Sequence, residues 1–259
     1  MSGGCLLKTM RATTQTVKVY ATPPHACSYL PEKLASNAFI DPTYTPVPDT
    51  YQLLIDQGYR RSGDHLYRPN CPACVSCVPC RVRTSNFRPG RSQRRCWRRN
   101  EDLKVQLHPA AFSQEAFALY ARYLNSRHAD GDMANPDEDS FRNFLYTSWS
   151  NTWFIEFRLD GKLVSVAVID MLPRGYSAVY TFFDPELTSR SLGTYAVLWQ
   201  IEHARMQGLP VVYLGYWIEG SRKMQYKANF KPLEVLQDGI WQPLDDGNMA
   251  GSNSDRSMK

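Results

Sequence analysis

TWFIEFRLDGKLVSVAVIDML, residues 152–172, is the stretch whose reading decides the fold. Two runs rich in β-branched and aromatic residues flank Asp160-Gly161, a pair that accepts the positive φ angles of a tight hairpin turn. Working outward, GYSAVYTFFDP (175–185) reads as a third strand. SRSLGTYAVLWQIEHARMQG (189–208) reads as a helix that begins near Ser191 and is stopped by Gly208, and PVVYLGYW (210–217) as a fourth strand. Upstream, Ser113 caps a helix whose Phe117, Tyr120, Ala121 and Leu124 share one face, and an aromatic helix follows over 140–149.

The first hundred residues are less regular. VKVY (17–20) reads as a first strand, and a Pro-rich loop over 21–49 holds one short helix from about Leu34 to Ile40. A helix starts at about Asp49, capped by Asp49 or Thr50 and closed by Gly58. Strands follow at 65–69 and 80–87, then a short helix in 92–100 and a strand at Leu103–Leu107. No period of 20–50 residues recurs, which excludes a solenoid.

The chain of 259 residues has room for one large or two modest domains, and its 43% apolar and 21% charged residues are those of a globular protein. The net charge of +5 is unevenly spread. Arg81, Arg83, Arg88, Arg91, Arg94, Arg95, Arg98 and Arg99 crowd one segment without an acid, while elsewhere acids outnumber bases. Such a segment points to a polyanion or anionic ligand. Guanidinium groups bind phosphate and carboxylate in a bidentate fashion, and Phe87 and Trp97 among them are candidates for stacking on bases. The bland alternative is a solvated helix face. No apolar run approaches a membrane span and no secretory signal is read, so a cytoplasmic protein with reduced thiols is expected.

Three further features carry chemistry. Cys71, Cys74, Cys77 and Cys80 stand three residues apart, and with Cys27 they are candidate ligands for zinc or an iron–sulfur cluster. The alternative is a set of small residues packed in a tight turn. The segment from Tyr213 to Pro232 leaves a strand end in a loop dense with aromatic and cationic groups. There Tyr213 and Phe230 read as core, and Tyr216, Lys223, Tyr226 and Lys227 as functional. The five histidines are scattered without metal spacing, and no Ser/His/Asp set, Walker loop or carboxylate pair is present.

The order strand–strand–strand–helix–strand resembles the core of the GNAT acyltransferase fold, in which amides at a helix N-terminus cradle a phosphate or carbonyl oxygen. The expected class is therefore α/β (α+β), GNAT-like in the C-terminal part, with a smaller Cys/Arg-rich N-terminal domain. The boundaries expected are 1–108, 109–247 and a disordered tail over 248–259. At the helix start, Arg190, Gly193 and Tyr195 depart from the acyl-CoA signature, because Tyr195 stands where that signature has a small residue. An acyl-CoA acetyltransferase is thereby disfavoured.

Five stretches, in order along the chain, are similar to the aminoacyl-tRNA–protein transferase family. They are Cys27 to Pro31; Gly58 to Gly63 with Tyr67 to Pro69; Cys71, Cys74 and Cys77 with Pro79, Arg81 and Val82; Phe87 to Arg95 with Arg99 and Asn100; and Tyr213 to Ile218 through Ser221, Lys223, Met224, Tyr226, Lys227, Phe230 and Pro232. The resemblance implies transfer of leucine from leucyl-tRNA to proteins that begin with Asp or Glu, which creates an N-degron read for degradation. Relatives that use arginyl-tRNA keep that donor open. No cofactor is implied for the transfer itself. The metal centre of eukaryotic relatives uses a cysteine pair where this chain has only Cys27 before Tyr29.

On this reading Tyr216, Lys223, Tyr226 and Lys227 surround the reacting centre. Arg81, Arg83, Arg94 and Arg95 are the set available for the acceptor's carboxylate, and Arg91, Gln93, Trp217 and Ser221 join them in substrate binding. The remaining arginines hold the tRNA, and a monomer is expected. A non-catalytic Cys/Arg-rich RNA-binding module is the rival from another class; it leaves the Tyr216–Lys227 loop unexplained.

Overall fold

The computed structural model describes residues 16–127 and 134–244. In chain order the strands are β1 Val19–Ala21, β2 His25–Ala26, β3 Leu34–Ala35, β4 Asn37–Ile40, β5 Arg60–Ser62, β6 His65–Pro69, β7 Val78–Arg83, β8 Lys104–Pro109, β9 Thr152–Leu159, β10 Lys162–Leu172, β11 Gly175–Phe183, β12 Val211–Trp217, β13 Leu233–Gln237 and β14 Ile240–Pro243. The helices are α1 Pro48–Asp56, α2 Arg91–Arg99, α3 Gln114–Arg127, α4 Glu138–Leu145 and α5 Leu192–Met206.

The large sheet runs β14-β13-β7-β12-β11-β10-β9-β8, with a second sheet β1-β4-β6-β5 and the pair β2-β3. The hairpin read at Asp160-Gly161 is present, with φ of 49° and 85° at its two turn residues. Among the described residues, the one parallel pair in the large sheet is β11 with β12, bridged by α5. The GNAT-like arrangement expected from the strand order is therefore present within a mixed α/β fold.

β10 shows why the sheet is a central layer. Val166 and Val168 face α3 and α4, packing with Leu119, Leu124, Phe141 and Leu145. Ala167 and Ile169 face the other way, toward Leu198, Ile201 and Ala204 of α5 and Cys96 of α2. A strand with helices on both faces reads as a continuous apolar run, which is what residues 162–172 show. A third core packs α1 residues Tyr51 and Ile55 against Leu66, Leu172 and Tyr213.

β7 and β8 come from the segment 1–108, yet both lie in the large sheet, and residue 108 falls within β8. The tail expected over 248–259, like Cys5, lies outside the described residues.

Two local expectations are corrected. Leu34–Ile40 forms β3 and β4 instead of a helix, because Ala38 and Ile40 turn inward at a period of two while β4 pairs with β1 and β6. A run of seven residues is too short for periodicity to separate the two states. α1 begins at Pro48 after Val47, with no side-chain cap, because proline at the first helical position needs no N–H partner. Past the Gly58 stop, Arg60–Ser62 adds a strand where the sequence reading places no element. Among the described residues no helix is long and apolar enough to cross a membrane.

Candidate functional site

The sheet opens between β11 and β12. They pair only from Gly175–Val211 to Ser177–Tyr213, although β11 runs on to Phe183 and β12 to Trp217. Each carries an irregularity where they part: β11 slips register against β10 beside Val179, and β12 slips against β7 beside Leu214. Bulges of this kind end pairing and re-aim side chains.

Gly215 follows the second bulge with φ of +83°, a conformation that glycine adopts without steric cost. The place its Cβ would take lies 3.7 Å from Lys227 Nζ and 3.8 Å from Arg60 Nε. Two cationic side chains thus border one vacant position. Arg60, on β5, is 8% exposed; its Nη2 donates to Ala178 O of β11, while Nη1 is buried without a hydrogen-bond partner among the described residues. Arg60 went unread in the sequence because nothing in a run of Arg60, Arg61 and Ser62 says which guanidinium lacks an acid.

Lys227 is 6% exposed in a 3₁₀ turn, Gln225–Asn229. Its Nζ donates to Tyr216 O at 2.6 Å and lies 3.3 Å from Met224 Sδ. Burial pulls its amine down to about 8; the Cys80 thiol opposes this and the Arg60 guanidinium adds to it.

Of the four residues expected around the reacting centre, three meet. Tyr216 supplies the carbonyl that holds Lys227, and Tyr226 places its ring centroid 5.9 Å from Lys227 Nζ. Lys223 is exposed on the turn before them. The Tyr216 hydroxyl donates to Gly58 O at 2.7 Å, and burial raises its pKa, with Tyr67 adding to the effect. Its proton is thus committed to the backbone. Tyr216→Phe is expected to retain most activity and to lose about 1 kcal/mol of stability, read by urea unfolding beside a turnover assay.

Ser221 is buried, and its carbonyl accepts from the Met224 and Gln225 amides, so it shapes the turn that carries Lys227. Gln93 braces the same turn: Oε1 accepts from Gly90 N at 2.8 Å and Nε2 donates to Asn229 O at 3.0 Å. Trp217 packs in the core, with its indole N–H buried and unpaired among the described residues.

The arginine segment divides. Arg81 Nε donates to Glu234 Oε2 at 2.7 Å, and its guanidinium stacks 4.2 Å over Trp241, with Asp56 at 3.5 Å. Arg83 pairs with the other oxygen of Glu234. Both were expected to meet an acceptor's carboxylate; β13 already supplies one. Arg91, Arg94, Arg95 and Arg98 are exposed along α2. A groove of about 850 Å³ between α2 and α5 is lined by Arg88, Arg94, Arg98 and Arg205 with Phe87 and Trp97. Phe87 packs on Phe230 and Trp97 on Tyr195, so the pair expected to stack on bases lends its faces to the core as well.

The turn ahead of α5 is filled by the chain itself. Asn100 Nδ2 donates to Arg190 O at 2.9 Å, Arg190 makes a paired contact with Asp102 at 2.8 Å, and Tyr195 is buried against Trp97 and Phe157. A coenzyme pyrophosphate would have to displace these contacts.

The cysteines separate too. Cys80 lies in the core, where burial pushes its thiol up to about 11. Burial pushes Cys77 up to about 12, with Cys71, Cys27 and Cys74 each adding. Among the described residues no three His, Cys, Asp or Glu side chains are placed to share an ion. Cys27, Cys71, Cys74 and Cys77 are near enough to act on one another electrostatically, while Cys80 stands apart in the core.

Two family descriptions match the chain: "Arginine-tRNA-protein transferase, N terminus" over residues 25–95 and "Arginine-tRNA-protein transferase, C terminus" over residues 115–237. The chain is 50% identical to the aspartate/glutamate leucyltransferase of Marinobacter nauticus over 89% of its own length and 97% of that protein. It is 52% identical to the enzyme of the same name from Pseudomonas fluorescens, over 87% and 96% of the two chains. Among solved structures it resembles FemX with a TM-score of 0.44 and 8% identity, covering 80% of this chain and 81% of that one.

Proposed function

The chain belongs to the arginine-tRNA-protein transferase family, and from that premise we propose that it transfers leucine from leucyl-tRNA to the N-terminal Asp or Glu of acceptor proteins, acting in the cytoplasm as a monomer. The observation that carries the donor and acceptor is half-identity to leucyltransferases over nearly the whole of both chains. A leucine so added would mark the acceptor for degradation.

The reaction needs little beyond placement. The acceptor's α-amine, with a pKa of about 7.7–8.0, is roughly a tenth neutral at pH 7. It attacks the leucyl ester carbonyl; the new C–N bond forms, the ester C–O bond breaks, and the terminal ribose hydroxyl leaves with a proton. The amine sheds its proton as the tetrahedral intermediate collapses. Lys227 is the group to take it, because an amine at about 8 is closely matched to the one it deprotonates. Gly215 leaves room beside Lys227 for the reacting atoms. Tyr226 and Lys223, exposed on the same turn, face the 3′ end of the tRNA in this reading.

The α2 arginines hold the acceptor stem through its phosphates. Replacing Arg94, Arg95 and Arg98 by Ala together is expected to weaken leucyl-tRNA binding about equally for all sequences. The slope of log K against log salt should flatten by about 0.7–0.9 for each phosphate that is no longer neutralised. Filter binding between about 50 and 200 mM salt reads this; an unchanged slope would place the tRNA elsewhere.

The function itself is tested with radiolabelled leucyl-tRNA and arginyl-tRNA offered to peptides that begin with Asp, Glu, Arg or Ala. Leucine on the Asp and Glu peptides alone is the expected result. Arginine in its place would keep the chemistry and change the donor, and tRNA binding without transfer would leave an RNA-binding module.

A further inference from the structure

Arg60 is a charged group buried at the opening of the sheet with no acid to balance it. Among the described residues it makes no ion pair or hydrogen bond to a carboxylate; Nη2 is held by the Ala178 carbonyl, and Nη1 has no partner. Its neighbour Arg61, by contrast, is fully paired with Asp170. A buried cation left uncompensated is costly, and a fold carries that cost where a ligand repays it. A second basic side chain, Lys227, borders the same glycine.

We propose that Arg60 reads the side-chain carboxylate of the acceptor's N-terminal residue, and so sets the restriction to Asp and Glu. The proposal rests on the transferase reading above and adds the residue that selects the acceptor. Three observations support a carboxylate over a tRNA phosphate. The opening is bordered by Gly215, Ala178 and the buried side chains of Arg60 and Lys227, which suits a narrow side chain better than a ribose-phosphate strand. The exposed cations suited to phosphate stand on α2 instead. And in an N-terminal Asp the α-amine and the carboxylate are only a few bonds apart, just as Lys227 and Arg60 flank a single glycine. With Nη2 fixed on β11, Arg60 presents Nη1 in a set orientation, so a carboxylate gains a charge-assisted bond that the amide of Asn or Gln cannot match.

The test compares peptides beginning with Asp, Glu, Asn and Gln, with leucyl-tRNA as donor, for the wild type, Arg60→Met and Arg60→Lys. Arg60→Met is expected to lower kcat/KM for Asp and Glu by about 10²-fold or more, mainly through acceptor KM. The Asn and Gln background should change little, so the Asp-over-Asn preference collapses, while leucyl-tRNA binding persists. Arg60→Lys keeps the charge without the fork and should fall between. An equal fractional loss on Asp and Asn would mean that Arg60 only supports the fold, and an unchanged preference would place the reader elsewhere; either overturns the proposal. If Arg60→Met does not fold, Arg60→Lys decides it, since the same narrowing of the Asp-over-Asn ratio is required of it. A wild-type chain that transfers leucine to no peptide defeats the transferase reading itself, before any variant is made, and this proposal with it.

Discussion

Lys227→Met is expected to lower kcat for transfer by about 10²–10⁴-fold, the usual loss when a positioned proton acceptor is removed, with leucyl-tRNA binding little changed. Methionine is close in length to the lysine stem and apolar, so it suits a site that is already buried. The loss should therefore report chemistry more than packing. The pH profile separates this role from a structural one. With its amine at about 8, wild-type Lys227 is roughly a tenth neutral at pH 7. Rate should climb toward pH 8–9 as Lys227 and the acceptor amine both lose their protons. In Lys227→Met only the acceptor's limb remains, so the climb becomes shallower; a parallel profile displaced downward would remove the proton-transfer role.

Stability gives an independent reading of the same group, with its sign fixed by linkage. Lysine in the unfolded chain titrates near 10.4, above the folded value of about 8. Between those pH values the unfolded state binds the proton that the folded state lacks, so this residue makes stability rise with pH from about 8 to about 10.5. Below 8 the folded protein bears the full cost of a buried ammonium. Cys80 and Cys77 act in the opposite sense, because their raised pKa values keep them protonated in the folded state where unfolded thiols have ionised. The wild-type curve mixes these terms, and its difference from Lys227→Met isolates the lysine: the variant should gain relative stability at pH 7 and lose that advantage by about pH 10.5.

The second half of the chain was legible because its signals are local. Asp160-Gly161 specifies a turn by the φ angles those residues tolerate, and the apolar run of β10 is long enough to show a strand covered on both faces. The Tyr216–Lys227 loop stood out for the same reason: its residues are near one another in sequence as well as in space. What escaped reading was pairing over distance. Arg81 and Arg83 carry the same letters as Arg94 and Arg95, and only the register that sets Glu234 opposite Arg81 shows that the first two are spent on β13. Arg60 and Arg61 differ more sharply still. They are adjacent in one strand and face opposite sides, yet Arg61 meets an acid 109 residues away while Arg60 does not. Cysteine spacing hid a related difference: the i, i+3 steps run on evenly from Cys71 to Cys80, but Cys80 has already entered β7 and the core.

Asp170→Ala is expected to destabilise the fold by about 3–5 kcal/mol, because it strands a buried guanidinium. Asp170 is completely buried on β10. Its Oδ2 accepts from Arg61 Nε at 2.7 Å and from the Tyr51 hydroxyl at 2.6 Å; its Oδ1 accepts from Arg61 Nη2 and Thr152 Oγ1, both at 2.8 Å. Arg61 Nη2 also donates to Leu145 O at 3.1 Å, so one carboxylate ties β10, β5, α1, β9 and the end of α4. Burial, with the Asp170 charge adding, holds the Tyr51 phenol far above its ordinary pKa, which keeps it a donor throughout the accessible range. A drop in melting temperature on the order of 10 °C follows for a chain of this size. Arg61→Met with Asp170→Leu should recover much of it, since an apolar pair removes both charges together; failure to recover would mean that the network holds the strands by its geometry more than by its charge. The consequence for function runs through β5. Arg61 pins that strand to β10, and Arg60 is the next residue, set against β11. At a temperature where the single variant is still folded, its Asp-over-Asn preference should fall before its tRNA binding does, because the strand that carries the carboxylate reader has lost its anchor while α2 has not.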